Sequence, residues 1–253
     1  MSSIKKYEEI IKSIPVRNHS VIVRKENWIK NDSLHTRLTK NNQFQNNNDD
    51  LLNTLKTIFK NAQNGQIEIS REDIFKISRE DIFKEKKDLE KKLIMVLLWG
   101  YPTGGRGNNI ANILNERKQF IKNLIDTTNG KNSITQDDYK KLNPKDENTK
   151  KLKFKGLGLS TMSKILYFFK VKIDNNPCLI FDTQILLSLQ KNNIDEFKNV
   201  DWEQADEKEE KYFEYLRIVN TISKEKLKNS KIEPEAIELF LFHYNMHFKL
   251  EKK

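Results

Sequence analysis

The sequence predicts an all-α fold in which many short helices form two lobes. Apolar residues recur at helical spacing along most of the chain, and no segment alternates strand, helix and strand. With 253 residues the chain can bury a core in one domain or in two closely packed lobes. We expect a partly irregular N-terminal segment over 1–48 and a helical domain over 49–253.

The start of the chain carries little helical signal. Val21–Val23 predicts one short strand, and the polar run Asn41–Asn48 predicts a loop. Asp49 or Asp50 then has the position of a cap for a helix that ends at Gly65. The inward stripe of this helix consists of Leu51, Leu55, Ile58, Phe59 and Ala62.

A perfect tandem duplication follows this helix. The octet ISREDIFK occupies 69–76 and again 77–84. Two copies of eight residues are too few for a solenoid, so we interpret the repeat as slippage in a repetitive gene. In the second copy, Ser78 and Asp81 have the spacing of a capped helix start.

Five more helices are predicted from the apolar pattern. Leu89–Trp99 is nearly all apolar and is therefore expected to be central, and Asn109–Leu124 has a clear inward stripe. The remaining helices are expected over 160–170, 182–190 and 233–250. The acidic stretch 202–214 is expected to form a solvated face.

The composition favours a polyanionic partner. The net charge is +10 with a pI near 9.4, although surface lysines could also serve only for solvation. Cys178 is the only cysteine, which excludes a disulfide framework, a thiolate zinc site and an iron–sulfur cluster. His243 and His247 lack a matching carboxylate pattern, so no metal is expected. The chain has neither a membrane span nor a signal-peptide core, and we expect a cytoplasmic, nucleoid-associated protein.

A glycine hairpin, Gly156-Leu157-Gly158, opens the helix expected over 160–170. Two glycines let the chain turn sharply and bring backbone N–H groups close to an anion. Lys153 and Lys155 would add attraction for a phosphate. Taken alone, a Gly-x-Gly turn is equally typical of a structural helix corner.

Asp182 follows 24 residues after Gly158, at the start of another helix. Aspartate is a good helix cap, and this is its simplest role. The helix N-terminus also favours the ionised carboxylate, which can stabilise a cationic sugar or activate water. The two roles are compatible.

Two further groups of residues could contact nucleic acid. In the run from Gly107 to Ile113, Asn108 and Asn109 carry amides that donate and accept toward base edges, and Arg106 stands beside them. Glu238 and Phe242 are four residues apart and share one helix face. The alternatives are an asparagine helix cap and an amphipathic core helix. Trp99 is another pocket candidate, although an aromatic that ends an apolar helix is usually core.

These features resemble, in the same order, the helix-hairpin-helix DNA glycosylases, and most closely the 8-oxoguanine DNA glycosylases. The resemblance covers Leu89–Gln190 and the last helix. It implies a two-lobed fold with the hairpin near 152–170 and a cleft between about 85–182 and the terminal helices. It also implies a monomer that acts on double-stranded DNA by base flipping.

The resemblance assigns a role to each group. The hairpin would hold a DNA phosphate, and Asp182 would face the sugar. Asn108 and Asn109 would fill the gap left by the extruded nucleotide, Phe242 would stack on the flipped base, and Glu238 would read its edge. No cofactor is implied beyond a monovalent cation on the hairpin carbonyls.

The chain departs from the family at several of these positions. Ser160 stands where bifunctional members have the lysine that forms a Schiff base, so we expect a monofunctional glycosylase without lyase activity. Lys164, one helical turn further on, is only a weaker candidate for that lysine. Gln184 replaces a histidine of the eukaryotic enzymes. Glu238 replaces a glutamine, and because a carboxylate only accepts hydrogen bonds, it favours guanine or cytosine derivatives.

Residues 1–85 show no sign of the antiparallel N-terminal sheet domain of the eukaryotic enzymes, so the chain resembles compact bacterial members. The sequence therefore predicts excision of a damaged or modified base, in repair or in phage defence. Two alternatives stay open. One is a non-catalytic DNA-binding protein that senses modified bases, and the other is a structural helical protein whose hairpin is incidental.

Overall fold

The computed structural model describes residues 3–29, 48–77, 86–105, 108–144, 153–191, 194–203 and 208–247. This part of the chain is mostly helical, which confirms the predicted fold class. The helices are α1 (Glu8–Ser13), α2 (Asn48–Ile58), α3 (Arg71–Lys76), α4 (Lys86–Gly100), α5 (Asn109–Thr128), α6 (Gln136–Leu142), α7 (Leu159–Phe168), α8 (Thr183–Lys191), α9 (Lys208–Thr221) and α10 (Pro234–His247). The strands are β1 (Ser20–Arg24), β2 (Gln66–Ser70), β3 (Ser133–Ile134), β4 (Lys172–Ile173) and β5 (Asn176–Pro177).

The chain divides into two compact units. The central unit comprises Arg17–Lys131 and Asp137–Gly158. The terminal unit comprises Met1–Val16, Asn132–Gln136 and Leu159–Lys253, and so contains both ends of the chain. The boundary between Gly158 and Leu159 falls where the glycine hairpin meets α7.

The central unit contains a two-stranded antiparallel sheet. Ser20 lies opposite Ser70 and Arg24 lies opposite Gln66, so the full length of β1 pairs with β2. Val23 and Ile69 are buried, and the sheet packs against α4. The strand predicted at 21–23 is confirmed. Its partner β2 was not predicted.

The core of the central unit lies between α4 and α5, as their apolar sequences predict. Both helices contact each other along buried apolar stripes. The inward residues of α5 are all buried, namely Ile110, Ile113, Leu114, Phe120 and Leu124. α2 begins at Asn48, one residue before the predicted cap, and gives way to a 3-10 turn over Phe59–Asn61. The predicted loop over 41–47 lies outside the described residues.

The first copy of the duplicated octet forms the end of β2 and then α3. Ser70 caps this helix in a capping box: its Oγ accepts from Asp73 N at 3.1 Å, and Asp73 Oδ2 accepts from Ser70 N at 2.9 Å. Burial by itself would raise the pKa of Asp73, but the hydrogen bonds from Ser70 lower it below its usual value. The equivalent residues of the second copy, Ser78 and Asp81, lie outside the described residues.

In the terminal unit, both α1 and α8 pack against α10. A small three-stranded sheet pairs β3 with β4 in parallel and β4 with β5 antiparallel. The expectation that 202–214 forms a solvated face is wrong for its aromatic residues. Trp202 and Tyr212 are buried, and Tyr212 Oη donates to Leu179 O at 3.1 Å. Their apolar rings outweigh the acidic residues around them.

Candidate functional site

The glycine hairpin is built into the core of the central unit. Phe154 and Leu157 are buried on either side of the turn, and the Phe154 ring meets Phe120 edge-on with 5.5 Å between ring centroids. Asn143 clamps the loop from outside. Its Oδ1 accepts from Phe154 N at 2.8 Å, and its Nδ2 donates to Leu157 O at 2.9 Å. The turn is thus a fixed element of this unit.

Gly156 brings the hairpin onto the first turn of α5. Its φ is +86°, in the left-handed region that favours glycine. A Cβ at this position would lie 2.6 Å from Asn109 O and 2.7 Å from Asn109 Cα. Only glycine permits this approach, so two segments that the sequence singled out separately, the hairpin and the asparagine run, are neighbours in the structure.

The asparagine side chains at this contact are exposed. Asn108 occupies the N-cap position of α5, but its side chain makes no cap hydrogen bond. An asparagine that caps a helix accepts a hydrogen bond from a backbone N–H of the first turn, and Asn108 makes no such bond. Both asparagine side chains are exposed to solvent. Arg106 and Gly107 lie outside the described residues.

Gly158 differs from Gly156. It is exposed, and a Cβ added to it would meet nothing within 4 Å. α7 begins at the next residue, so the open backbone lies at a helix N-terminus, where N–H groups without helical partners favour an anion. Neither packing nor a left-handed backbone requires glycine at this position.

Asp182 lies at the N-terminus of α8 and performs the predicted capping role. Its Oδ1 accepts from Gln184 N at 3.0 Å and from Ile185 N at 3.2 Å. Ser163 fixes the preceding residue, because its Oγ accepts from Phe181 N at 3.0 Å. One carboxylate oxygen is thus committed to the helix, and Oδ2 points elsewhere.

Lys164 occupies the space beside that second oxygen. Its Nζ lies 3.4 Å from Asp182 Oδ2 and donates to Ser160 Oγ at 2.9 Å. The lysine side chain is 8% exposed and the aspartate side chain 17% exposed. α7 positions the amine, because side chains on a helix lean toward its N-terminus and residue 164 therefore reaches back over residue 160. The structure brings together Ser160, Lys164 and Asp182.

The remaining pocket candidates have mixed positions. Glu238 is fully buried on α10 and interacts with neighbouring groups. Phe242 is half-buried, with its ring 5.3 Å from the His243 ring. Trp99 belongs to the central unit, where the Arg71 guanidinium lies 5.4 Å from its ring centroid. The side chain of Gln184 is half-buried near the start of α8.

Two further ionisable groups have shifted pKa values. Burial raises the pKa of Glu116 on α5, while Lys155 and Lys153 nearby act in the opposite direction. Burial also raises the pKa of Cys178 to about 12, so its thiol is not a nucleophile at neutral pH. Over the described ranges, no three histidine, cysteine or acidic side chains are grouped as metal ligands. None of the helices seen in those ranges is long and apolar enough to span a membrane.

Two positioning residues were missed from the sequence. Asn143 stands in an Asn-Pro dipeptide, which signals a turn but not a clamp on a loop that starts ten residues later. Ser163 has no local signal at all, since it bonds to a residue on another element. Both act through contacts that only the folded chain creates.

The comparisons with known proteins give one match. The family model described as "Putative 8-oxoguanine DNA glycosylase OGG-like protein" matches residues 14–242, which is most of the chain. Neither the curated proteins nor the solved structures give a significant match.

Proposed function

The chain belongs to the family of putative 8-oxoguanine DNA glycosylase OGG-like proteins, and we propose that it is a DNA glycosylase that removes a damaged or modified base from double-stranded DNA. The observation that supports this most is the position of Asp182. A carboxylate is fixed at a helix N-terminus with one oxygen bound to backbone amides and the other beside a lysine amine.

Asp182 has the chemistry that base loss needs. As the N-glycosyl bond breaks, positive charge develops on the sugar, and a preorganised carboxylate stabilises that charge. The amides of Gln184 and Ile185 keep the carboxylate in place without reorganisation. The attacking group is then either water, as the serine at position 160 suggests, or an amine.

The DNA would be held by groups of the central unit. The open backbone at Gly158 suits a phosphate, and the exposed amides of Asn108 and Asn109 suit the gap left by an extruded nucleotide. A monovalent cation on the hairpin carbonyls is compatible with this role. The flipped base would stack on Phe242 and be read by Glu238, whose carboxylate must first be uncovered because it is buried.

The proposed substrate follows from that carboxylate. Glu238 accepts hydrogen bonds and so favours bases that present N–H groups, such as guanine or cytosine derivatives. Excision would serve either repair or defence against phages with modified bases. We propose that the protein acts as a monomer.

The test is excision on a panel of duplexes with damaged or phage-type modified bases. Abasic sites are revealed by cleavage in hot alkali. We expect the Asp182→Asn variant to lose excision by at least a hundredfold while it binds the same duplex as well as the unmodified protein or better, because a negative charge near the phosphates is removed. Asparagine is also a good helix cap, so the fold is preserved.

Asp201→Asn is the matched control, since Asp201 is an exposed aspartate of the same unit and should retain full activity. Full excision by Asp182→Asn would refute the catalytic assignment. Salt-dependent DNA binding without any abasic sites across the panel would favour the non-catalytic sensor. Absence of salt-dependent DNA binding would favour a structural protein.

A further inference from the structure

We infer that Asn123 and Asn143 are positioning residues, which together hold the glycine hairpin at a fixed place relative to the asparagine run at the start of α5. We call these two side chains the amide bridge. The inference rests on the proposed function, in that it takes Gly158 and the asparagine run to contact DNA. It adds that these two contacts are preorganised as one rigid element by residues that have no DNA contact of their own.

Asn143 holds the hairpin through both sides of its amide. Its Oδ1 accepts from Phe154 N at 2.8 Å, while its Nδ2 donates to Leu157 O at 2.9 Å and lies 3.4 Å from Phe154 O. Asparagine suits this place because one short side chain carries both a donor and an acceptor. The next residue, Pro144, adds a backbone bond, since its O accepts from Lys153 N at 2.9 Å. The turn is therefore held at its start and near its end.

Asn123 holds the segment from which Asn143 projects. Its Nδ2 donates to Leu142 O at 2.9 Å and to Lys141 O at 3.1 Å. These are the last two residues of α6, where carbonyl groups have no partner within the helix. Because Asn123 lies on α5, its amide joins α5 to the end of α6 directly before Asn143.

The contacts form a closed path within the central unit. From Asn123 the path runs through the end of α6 to Asn143 and then to the hairpin, and Gly156 returns it to Asn109 at the start of α5. Asn109 and Asn123 are about 21 Å apart along the helix, at a rise of about 1.5 Å per residue. The buried stripe of α5 fixes this helix in the unit. The hairpin can therefore move away from the asparagine run only if contacts at one end of the path break.

The amide bridge also determines which hairpin residues face solvent. Phe154 and Leu157, the two residues to which Asn143 bonds, are buried, whereas Lys155 and Gly158 are exposed. Holding the buried pair thus presents the lysine and the open backbone to solvent. A loop that is ordered before binding loses less conformational entropy when a phosphate arrives, so preorganisation raises the affinity.

The experiment measures binding of a short unmodified DNA duplex over a series of salt concentrations. We expect Asn143→Ala to bind roughly tenfold more weakly at low salt and with a smaller dependence of affinity on salt, because fewer phosphate contacts form. Asn123→Ala is the sharper variant, since its amide donates to α6 and not to the hairpin. We expect it to lose roughly threefold in affinity, again with a smaller salt dependence.

Two controls separate positioning from a general loss of stability. Gln119→Ala removes an exposed amide of the same helix and should leave DNA binding unchanged. Ser70→Ala destabilises the same unit through the cap of α3 and should also bind DNA as the unmodified protein does. Hydrogen–deuterium exchange over residues 153–158 gives a second readout. Exchange should be faster in both amide-bridge variants and unchanged in both controls.

Normal DNA binding by Asn123→Ala, or by a folded Asn143→Ala, overturns the inference. Weaker binding with unchanged exchange in the hairpin would mean that these amides contact DNA themselves, and overturns it as well. So does an equal loss of affinity in Ser70→Ala. If Asn143→Ala does not fold, Asn123→Ala decides alone.

The proposed function is tested separately, because binding of an unmodified duplex needs no base excision. Salt-dependent binding without abasic sites on the substrate panel contradicts the glycosylase and leaves this inference to the variants. Absence of salt-dependent binding by the unmodified protein contradicts both.

Discussion

At the scale of single residues, the side-chain directions of α7 decide which polar groups lie beside Asp182. Ser160 and Lys164 differ in sequence by one helical turn, yet the lysine amine and the serine hydroxyl are 2.9 Å apart. The Lys164 amine also lies 3.4 Å from Asp182 Oδ2. Side chains one helical turn apart converge in this way because long side chains lean toward the helix start.

The two hairpin glycines should respond differently to substitution by alanine. Gly156→Ala forces an L-residue into left-handed backbone, at about 1–2 kcal/mol, and adds a clash with Asn109, so its melting temperature should fall. The added Cβ of Gly158→Ala meets nothing within 4 Å. The free energy of unfolding of this variant should therefore stay within about 0.5 kcal/mol of that of the unmodified protein.

DNA binding completes this comparison. The Gly158→Ala methyl group would stand between the backbone and a phosphate, so its affinity for duplex DNA should fall although its stability does not. Binding titrations at fixed salt and thermal melts of both variants provide the measurement. If Gly158→Ala binds DNA normally, the phosphate role of the hairpin is wrong.

The candidate site residues have local signals in the sequence, while the residues that support them do not. Asp182 and Gly156 stand out because a helix start and a tight turn have local signals. The clamp by Asn143 and the bond from Phe181 to Ser163 join separate elements, and no local pattern encodes them. The burial of Glu238 likewise depends on what packs around α10.

At the scale of elements, the helices were predictable and the sheets were not. The apolar stripes of α4 and α5 repeat over many residues, so their period is clear in the sequence. β2 is five residues long and pairs with a strand more than forty residues earlier. The end of β2 belongs to the first copy of the octet ISREDIFK. That octet also has a helix-capping pattern, so the strand before the cap cannot be recognised from the sequence.

The capping box at Ser70 gives a prediction for α3. Ser70→Ala should lower the free energy of unfolding by about 1 kcal/mol at pH 7. The pKa of Asp73 is lowered in the fold, so the contribution of its carboxylate is present above its usual value of 3.8 and is lost as the pH falls below it. The deficit of the variant should therefore shrink in acid.

A double-mutant cycle measured by chemical denaturation checks this interpretation. Asp73→Ala should cost a similar amount, and the double variant should lose little more than either single one, because Ser70 and Asp73 bond to each other. Strictly additive losses would show that the two residues act separately.

At the scale of the whole molecule, the first residues of the chain belong to the unit that carries Asp182. Tyr7 packs its ring 5.1 Å from Phe240, and its hydroxyl lies 2.8 Å from that of Tyr244. Burial and this contact raise the pKa of Tyr244 to about 12. The terminal unit is therefore complete only when the chain returns to its own start, a long-range closure that no local pattern signals.

Glu196 is the polar anchor of this closure. Its carboxylate accepts from Ser3 Oγ at 2.8 Å, from Ile4 N at 3.0 Å and from Lys226 Nζ at 3.0 Å. Burial by itself would raise the pKa of Glu196, but the bonds from Ile4, Lys226 and Ser3 lower it below the usual 4.5. The ionised carboxylate thus holds the N-terminal segment on the terminal unit.

Glu196→Gln should destabilise the protein in a pH-dependent way. A folded-state pKa below 4.5 means that the stabilisation is fully present above that pH and is lost as the pH falls through the lower folded value. We expect a loss of about 1–2 kcal/mol at pH 7, measured by thermal melts, and a difference that becomes smaller as the pH is lowered from 4.5 toward 3. Glu203→Gln, at an exposed glutamate of the same unit, is the control and should behave as the unmodified protein at both pH values. An equal loss at pH 7 and pH 3 would mean that packing, and not the ionised carboxylate, attaches the N-terminal segment.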